Sequence, residues 1–183
     1  DQTYEFASPD SPYFNGGSNG KGLEQVLAEG VLDTGLGGQD TIYGGSGGDL
    51  ILAGRGSDVV YGESGADSID GGAGADMLYG GEGDDAIDGD LNAETKDHGN
   101  DYIDLGAGLL RQVARGNGGN DTILGGDNSD SLEGDDLRGM VAADYHGDDY
   151  LDGKGGNDDI WGGGGNDTLY GGAGDDYLEG DYQ

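Results

Sequence analysis

Aspartate returns every nine residues along most of this chain, each time after a glycine-rich turn and two places before an aliphatic residue. Residues 44–52 read GGSGGDLIL, and residues 171–179 read GGAGDDYLE. Of the twelve intervals between the repeated aspartates, nine are nine residues long. The repeated aspartates are Asp40, Asp49, Asp58, Asp67, Asp76, Asp85, Asp101, Asp121, Asp130, Asp149, Asp158, Asp167 and Asp176. Carboxylates repeated at constant spacing on turns are suited to binding a hard cation.

The glycines of the repeat indicate how such a turn could supply further oxygen ligands. Glycine at the first, second and fourth places permits positive φ without steric cost, and we expect the turn to point several carbonyl oxygens inward. Calcium takes six to eight carboxylate and carbonyl oxygens at about 2.3–2.6 Å. The absence of cysteine and the scarcity of histidine disfavour zinc and copper. The glycines expected at the calcium sites are Gly45, Gly47, Gly72, Gly74, Gly81, Gly83, Gly163, Gly165, Gly172 and Gly174.

The last three residues of each repeat are predicted to form a short strand. We expect only the middle side chain to point inward, so two repeats are needed to place two strands back to back over an aliphatic core. Aspartates eighteen residues apart then stack on one edge, about 4.8 Å apart. One edge is predicted to carry Asp40, Asp58, Asp76, Asp101, Asp121, Asp149 and Asp167, and the other Asp49, Asp67, Asp85, Asp130, Asp158 and Asp176. Six gaps on the first edge and four on the second predict about ten calcium ions.

The composition limits both the fold and the partners. With 39 acidic and 7 basic residues the formal net charge is −32, which excludes nucleic acid and a bare anionic membrane as direct partners. Only 32% of the residues are hydrophobic and 45 are glycine, so disorder is the competing interpretation. Burying one aliphatic side chain per repeat contributes about 1.5–3 kcal/mol. Ordering the backbone costs about 1–2 kcal/mol for each of the nine residues of that repeat. Calcium is therefore predicted to separate the folded from the disordered state, and ten divalent ions would bring the charge from −32 to about −12.

The chain divides into a lead-in, residues 1–34, and a repeat region, residues 35–183. In the lead-in, the spacing of Leu23, Val26 and Leu27 predicts a short helix that could cap the first coil. We expect the whole chain to be a segment of a larger protein.

Three units of the repeat region are irregular. Two longer units contain inserted loops near 90–97 and 135–145, which we expect to project from the same edge. An eroded unit at 105–115 has no aspartate in phase, and the calcium ladder is predicted to break beside Leu109 and Leu110.

The repeat over residues 35–179 resembles the RTX (repeats-in-toxin) calcium-binding β-roll, with its G-G-x-G-x-D-x-U-x pattern. The expected fold is therefore all-β, a right-handed parallel β-roll of stacked nonapeptide repeats with calcium in the turns. The resemblance also implies export by type I secretion, with the chain unfolded in low cytosolic calcium and folded outside the cell. Its parent classes include pore-forming toxins, proteases, lipases, alginate epimerases and adhesins.

We predict a calcium-induced folding and export module of a larger secreted protein, with no catalysis of its own. No H-E-x-x-H or G-x-S-x-G motif is present. The expected partners are calcium ions, domains of the parent protein and the type I secretion machinery, and no membrane insertion is expected. An alternative is a carbohydrate-binding module of an extracellular polysaccharide-modifying enzyme or adhesin, and a third is part of an enzyme whose catalytic domain lies outside this segment.

Two sets of side chains leave other interpretations open. His98 and His146 each stand at the third place of a longer unit, where a hydrogen-bonding loop anchor is favoured over a shared metal or catalytic site. Tyr43, Tyr61 and Tyr79 lie eighteen residues apart and should form a ladder on one outer face. That ladder could stack on sugar rings or could serve cross-strand packing.

Overall fold

Nearly every regular element of the protein is a β-strand. The computed structural model describes residues 2–5, 31–33, 38–91, 97–135 and 145–181. Among these residues no helix has the length and apolarity needed to cross a membrane. The strands are β1 Gln2–Glu5, β2 Val31–Asp33, β3 Asp40–Ser46, β4 Leu50–Arg55, β5 Val59–Ser64, β6 Ser68–Ala73, β7 Met77–Glu82, β8 Ala86–Asp88, β9 Tyr102–Ala107, β10 Val113–Asn117, β11 Thr122–Leu124, β12 Ser131–Asp135, β13 Tyr150–Asp152, β14 Asp159–Gly163, β15 Thr168–Tyr170 and β16 Tyr177–Asp181.

The strands form two parallel sheets of eight strands each. Odd-numbered strands make the first sheet and even-numbered strands the second, each in chain order. Consecutive strands therefore alternate between sheets, and two repeats complete one coil. In the regular part Ile42 pairs with Val60 and Val60 with Leu78, an offset of eighteen residues. The predicted all-β, parallel β-roll architecture is confirmed.

The core is a single file of aliphatic side chains between the sheets. Eleven of the predicted middle residues are at most 2% exposed: Ile42, Ile51, Val60, Ile69, Leu78, Ile87, Ile103, Ile123, Leu132, Leu151 and Ile160. Leu169 is only partly buried and Leu178 is 41% exposed. Leu178 belongs to the last described coil, and no following strand among the described residues covers it.

The first place of the repeat also faces inward, outside the three-residue strand to which the expectation of one inward side chain applied. Ala53 and Leu105 stand at first places of their repeats and are fully buried. Elsewhere in the regular repeats glycine occupies this place, where a Cβ would approach a ladder carboxylate or a carbonyl of the next coil. In the eroded unit Ala114 takes the middle position of the strand and completes the file.

The irregular segments are accommodated without interrupting the sheets. In the lead-in, β1 pairs with β3 and β2 with β4, while the helix predicted around Leu23 falls outside the described residues. The two longer connections, β8 to β9 and β12 to β13, both run from the second sheet to the first and so lie on the same edge. The inserted residues 92–96 and 136–144 are themselves outside the described part of the chain.

The buried file gives a direct test of the coil register. Leu78→Ala should lower the free energy of unfolding in excess calcium by about 2–5 kcal/mol, because a fully buried leucine leaves a cavity when truncated. Leu178→Ala, at the same place in the last described coil, should cost clearly less because that side chain is 41% exposed. Urea unfolding of both variants measures the difference, and equal losses would contradict the register.

Candidate metal sites on two aspartate ladders

The repeated aspartates stack into two ladders on opposite edges of the roll. The first ladder lies in the turns that run from the second sheet to the first, and the second ladder lies in the opposite turns. The hydrogen bonds described below assign Asp40, Asp58, Asp76, Asp101, Asp121, Asp149 and Asp167 to the first ladder, and Asp49, Asp67, Asp85, Asp130, Asp158 and Asp176 to the second. This stacking is the one predicted from the eighteen-residue spacing.

Each ladder is held together by bonds between carboxylates and backbone amides. Oδ1 of a ladder aspartate accepts the backbone N–H of the ladder aspartate one coil earlier, with N–O distances of 2.7–3.0 Å. Asp101 accepts from Asp76 across 25 residues, and Asp149 accepts from Asp121 across 28. The inserted loops therefore leave the ladder intact.

The second carboxylate oxygen is buried with no hydrogen-bond partner in ten of the ladder aspartates. They are Asp49, Asp58, Asp67, Asp76, Asp85, Asp101, Asp121, Asp149, Asp158 and Asp167. A buried anionic oxygen without a partner is costly, because it has lost its water and gained nothing in exchange. A bound cation would supply the missing interaction at each of these oxygens.

The first glycine of each repeat makes room for this oxygen. A Cβ on Gly71 would lie 2.6 Å from Asp76 Oδ2 and 2.8 Å from the carbonyl oxygen of Gly89 in the next coil. A Cβ on Gly62 would lie 2.5 Å from Asp67 Oδ2. Each first place thus lies beside a pocket where a carboxylate oxygen and a carbonyl oxygen converge.

Positive φ occurs at the second and fourth places of the repeat, so its prediction for the first place was wrong. The ten glycines predicted at the calcium sites all occupy second or fourth places, with φ between 94° and 144°. Glu63, Asn117 and Lys154 take the second place in other repeats, also with positive φ. The coil geometry is thus retained even where the residue is not glycine.

The oxygen donors of these pockets fit calcium. Among the described residues no three His, Cys, Asp or Glu side chains converge into a group that could hold a metal ion. An ion on either ladder would therefore take many of its ligands from backbone carbonyl oxygens. Mixed carboxylate and carbonyl coordination is the preference of calcium, which tolerates flexible geometry.

Burial changes the acidity of the ladder aspartates. Desolvation by burial, together with the charges of neighbouring aspartates, raises the pKa of Asp58 to about 6, of Asp76 to about 7 and of Asp149 to about 8. The ladder hydrogen bonds lower these pKa values without offsetting the desolvation. Without a cation, the folded roll thus holds carboxylates that resist ionisation at neutral pH.

The family of the chain follows from its sequence matches. The RTX calcium-binding nonapeptide repeat matches in four copies, at residues 34–69, 61–93, 112–137 and 147–181. The chain belongs to this family. The matches omit residues 94–111 and 138–146, which contain most of the eroded unit and parts of the longer units. No curated protein and no solved structure matches the chain.

The second ladder of this RTX roll is interrupted by Gln112, not beside Leu109 and Leu110 as predicted. Gln112 is 1% exposed and occupies the ladder position, because Val113 begins the following strand. Leu109 and Leu110 are 86% and 68% exposed, and the N–H groups of both donate to Asp84 Oδ1. Counting one place back from the strand would have located Gln112 in the sequence.

Protein donors occupy both carboxylate oxygens of Asp130 in this part of the ladder. Gln112 donates its backbone N–H to Asp130 Oδ1 at 3.2 Å and its Nε2 to the carbonyl of Gly83 at 3.0 Å. Asp130 Oδ2 accepts the N–H of Gly126 at 2.6 Å. Leu105, at the first place of this unit, is fully buried in the aliphatic core. Gln112 and Asp130 are thus adjacent ladder residues that leave no carboxylate oxygen free.

Two further buried aspartates were missed because they stand at second places, where glycine was expected. Asp90 and Asp135 are 2% and 1% exposed. Gly99 donates its N–H to Asp90 Oδ2 at 3.1 Å, and Gly147 donates its N–H to Asp135 Oδ1 at 3.3 Å. Each bond spans the base of an inserted loop, so these aspartates hold the two ends of the loop together.

The histidines lie at the far ends of the same loops. His98 forms a β-bridge with Gly74, and His146 forms one with Gly119. A Cβ on Gly118, in the coil between them, would collide with the His98 ring. The two histidines are therefore two coils apart and do not share one site, and their bridges agree with the favoured interpretation as loop anchors.

The tyrosine ladder is confirmed on the outer face of the first sheet. The ring centroids of Tyr43 and Tyr61 are 5.1 Å apart and those of Tyr61 and Tyr79 are 5.0 Å apart, with interplanar angles of 11° and 7°. Tyr102 continues the row at 5.7 Å in a tilted arrangement. Both faces of the Tyr61 ring are covered by its neighbours, which favours cross-strand packing over stacking on sugars.

The raised pKa values predict how pH acts on the metal-free roll. A carboxylate whose folded pKa lies above its unfolded value stabilises the fold below the unfolded pKa, and this stability is lost as pH rises through the folded pKa. In excess chelator, the β signal in circular dichroism should therefore be stronger at about pH 5 than at about pH 8. Because the unfolded chain is ionised at both pH values and protons stabilise only the metal-free fold, the calcium midpoint of folding should be lower at about pH 5 than at about pH 8. A midpoint that does not move with pH would contradict this account.

Gln112 offers a test of the metal-independent part of the ladder. Gln112→Ala should lower the free energy of unfolding by about 1–3 kcal/mol, because the carbonyl of Gly83 loses its donor. The number of calcium ions bound at saturation, measured by equilibrium dialysis, should not change. A loss of bound calcium would instead identify the buried Oε1 of Gln112 as a ligand.

Proposed function

We propose that this calcium-binding RTX roll is a folding and export module of a larger secreted protein, with no catalysis of its own. The observation that carries the proposal is the set of ten buried Oδ2 atoms without partners. They lie at regular intervals along both edges, so the need for a cation is spread over the whole roll. A fold with this distribution assembles where calcium is abundant and stays unfolded where it is scarce.

The geometry of the ladders supports a proposed number of ions. Six aspartate-to-aspartate bonds on the first ladder and four on the second leave ten gaps between carboxylates. We propose about one ion per gap, with the repeated aspartates and the carbonyls of the glycine turns as ligands. About ten divalent ions would remove much of the repulsion that a net charge of −32 imposes on the fold.

The setting of the module is argued from chemistry and family together. Unfolding at low calcium suits a chain that passes through a type I secretion channel, and folding at high calcium suits an extracellular location. The carbohydrate-binding alternative gains no support from the tyrosine ladder, because its rings cover one another. Domains of the parent protein outside this segment would carry any enzymatic or toxic activity.

The proposal predicts a folding transition driven by calcium and not by magnesium. In chelator at neutral pH, circular dichroism should show a coil and scattering an expanded chain. Millimolar calcium should give a β spectrum and a compact radius, whereas magnesium prefers a small octahedral site with retained waters and should fail. A compact β fold in excess chelator at neutral pH would sink the proposal.

A matched pair of variants tests the ladder itself. Asp121→Asn should raise the calcium midpoint of folding, because Asp121 is 2% exposed and its Oδ2 has no other partner. Asp127→Asn removes the same charge from an exposed side chain at a third place and should leave the midpoint nearly unchanged. Equal shifts of the calcium midpoint in the two variants would mean that the midpoint depends only on the net charge of the chain.

A further inference from the structure

Asp90 has a buried carboxylate oxygen that neither the ladders nor the loop base uses. The side chain is 2% exposed, and Oδ2 accepts the N–H of Gly99 at 3.1 Å. Oδ1 is buried and has no hydrogen-bond partner. Because Asp90 stands at the second place of its unit, it lies outside the series of thirteen repeated aspartates, and its free oxygen needs a separate explanation.

A second free carboxylate oxygen lies beside Gly89, the residue before Asp90. Asp101 belongs to the same unit, is 2% exposed and has a buried Oδ2 without a partner. A Cβ placed on Gly89, the residue before Asp90, would collide with this Oδ2. The inserted loop thus separates Asp90 and Asp101 in sequence, while the coil brings their carboxylates to one turn.

Electrostatics supports a cation between these groups. Burial raises the pKa of Asp90, and the negative charges of Asp101, Asp76 and Asp88 also raise it. Among the described residues, the basic side chain that pairs with Asp88 is Arg115, at 3.8 Å, and Arg115 also pairs with Glu133 at 3.0 Å. A cation at this turn would offset the repulsion between Asp90 and the neighbouring carboxylates.

The second long unit supplies an internal comparison. Asp135 stands at the same place as Asp90 and is equally buried, but both of its oxygens are used. Oδ1 accepts the N–H of Gly147 at 3.3 Å, and Oδ2 accepts the N–H of Gly164 at 2.9 Å. Asp135 closes its loop through protein donors alone, whereas Asp90 closes its loop with one oxygen and leaves the other free.

We propose that Asp90 Oδ1 and Asp101 Oδ2 bind the same calcium ion, which makes the turn of the first long unit the tightest calcium site of the roll. The inference rests on the proposed function and adds to it a ligand and an order of filling. Affinity at oxygen sites rises with the number of carboxylate ligands. Most ladder pockets hold one free carboxylate oxygen beside carbonyls, and this one holds two. Calcium bound here also ties the base of the loop to the ladder.

Competition of the full chain with a chromophoric calcium chelator tests the site. Asp90→Asn keeps an oxygen acceptor for the N–H of Gly99 but removes the charge. It should weaken the tightest class of calcium binding by roughly tenfold or more. At saturating calcium its β signal should match that of the unchanged chain. Asp135→Asn should leave the tightest class of calcium binding unchanged and should lower the thermal stability instead. Both oxygens of Asp135 accept backbone N–H groups, and the substitution places an NH2 group opposite one of them.

The outcomes separate this inference from the proposed function. If the unchanged chain binds no calcium, the proposed function fails and the inference fails with it. If the unchanged chain folds with calcium and Asp90→Asn retains the tightest class of calcium binding, only the inference is overturned. Should Asp90→Asn fail to reach the β signal in saturating calcium, Asp90→Glu decides. If Asp90→Glu retains the tightest class of calcium binding, the role of residue 90 as a calcium ligand is supported. If Asp90→Glu folds and lacks this class of binding, that role is contradicted.

Discussion

The hydrogen bond from each ladder carboxylate to the amide of the preceding coil is the interaction on which the rest of the roll depends. It fixes one coil over the next and occupies one oxygen of the aspartate. The other oxygen is consequently held in a buried pocket formed by a first-place glycine and a carbonyl of the following coil. The same geometry that orders the backbone therefore creates the need for a cation, and one aliphatic side chain per repeat is too little to carry the fold without it.

The irregular units show which parts of this arrangement can change. Gln112 replaces a ladder aspartate with an amide that donates to a carbonyl, while Leu105 replaces a first-place glycine and is fully buried. Asp90 and Asp135 replace second-place glycines at the bases of the inserted loops. Each new buried polar side chain finds a protein partner, and Asp90 also leaves an oxygen for an ion. The stacking of the coils is retained throughout.

The architecture could be predicted from the sequence because its causes are periodic. The nine-residue spacing of aspartates and aliphatics determined the two sheets, the core file and the membership of both ladders. What could not be predicted depends on contacts between coils. The role of first-place glycines became visible only once Asp76 Oδ2 was seen beneath Gly71. Gln112 was missed because the eroded unit carries extra residues before it, and Asp90 because its place was assigned to glycine.

The ladder bonds also give the roll a direction, since each bonded ladder carboxylate accepts from the coil before it. Among the described residues, Asp40 accepts no ladder bond and the amide of Asp167 donates none. A tandem duplication of eighteen codons would add one complete coil that satisfies both of its neighbours. A duplication of nine codons would transfer every downstream aspartate to the other edge and carry the inserted loops with it. The unit in which such a gene can lengthen or shorten while preserving its surface is thus the coil, not the repeat.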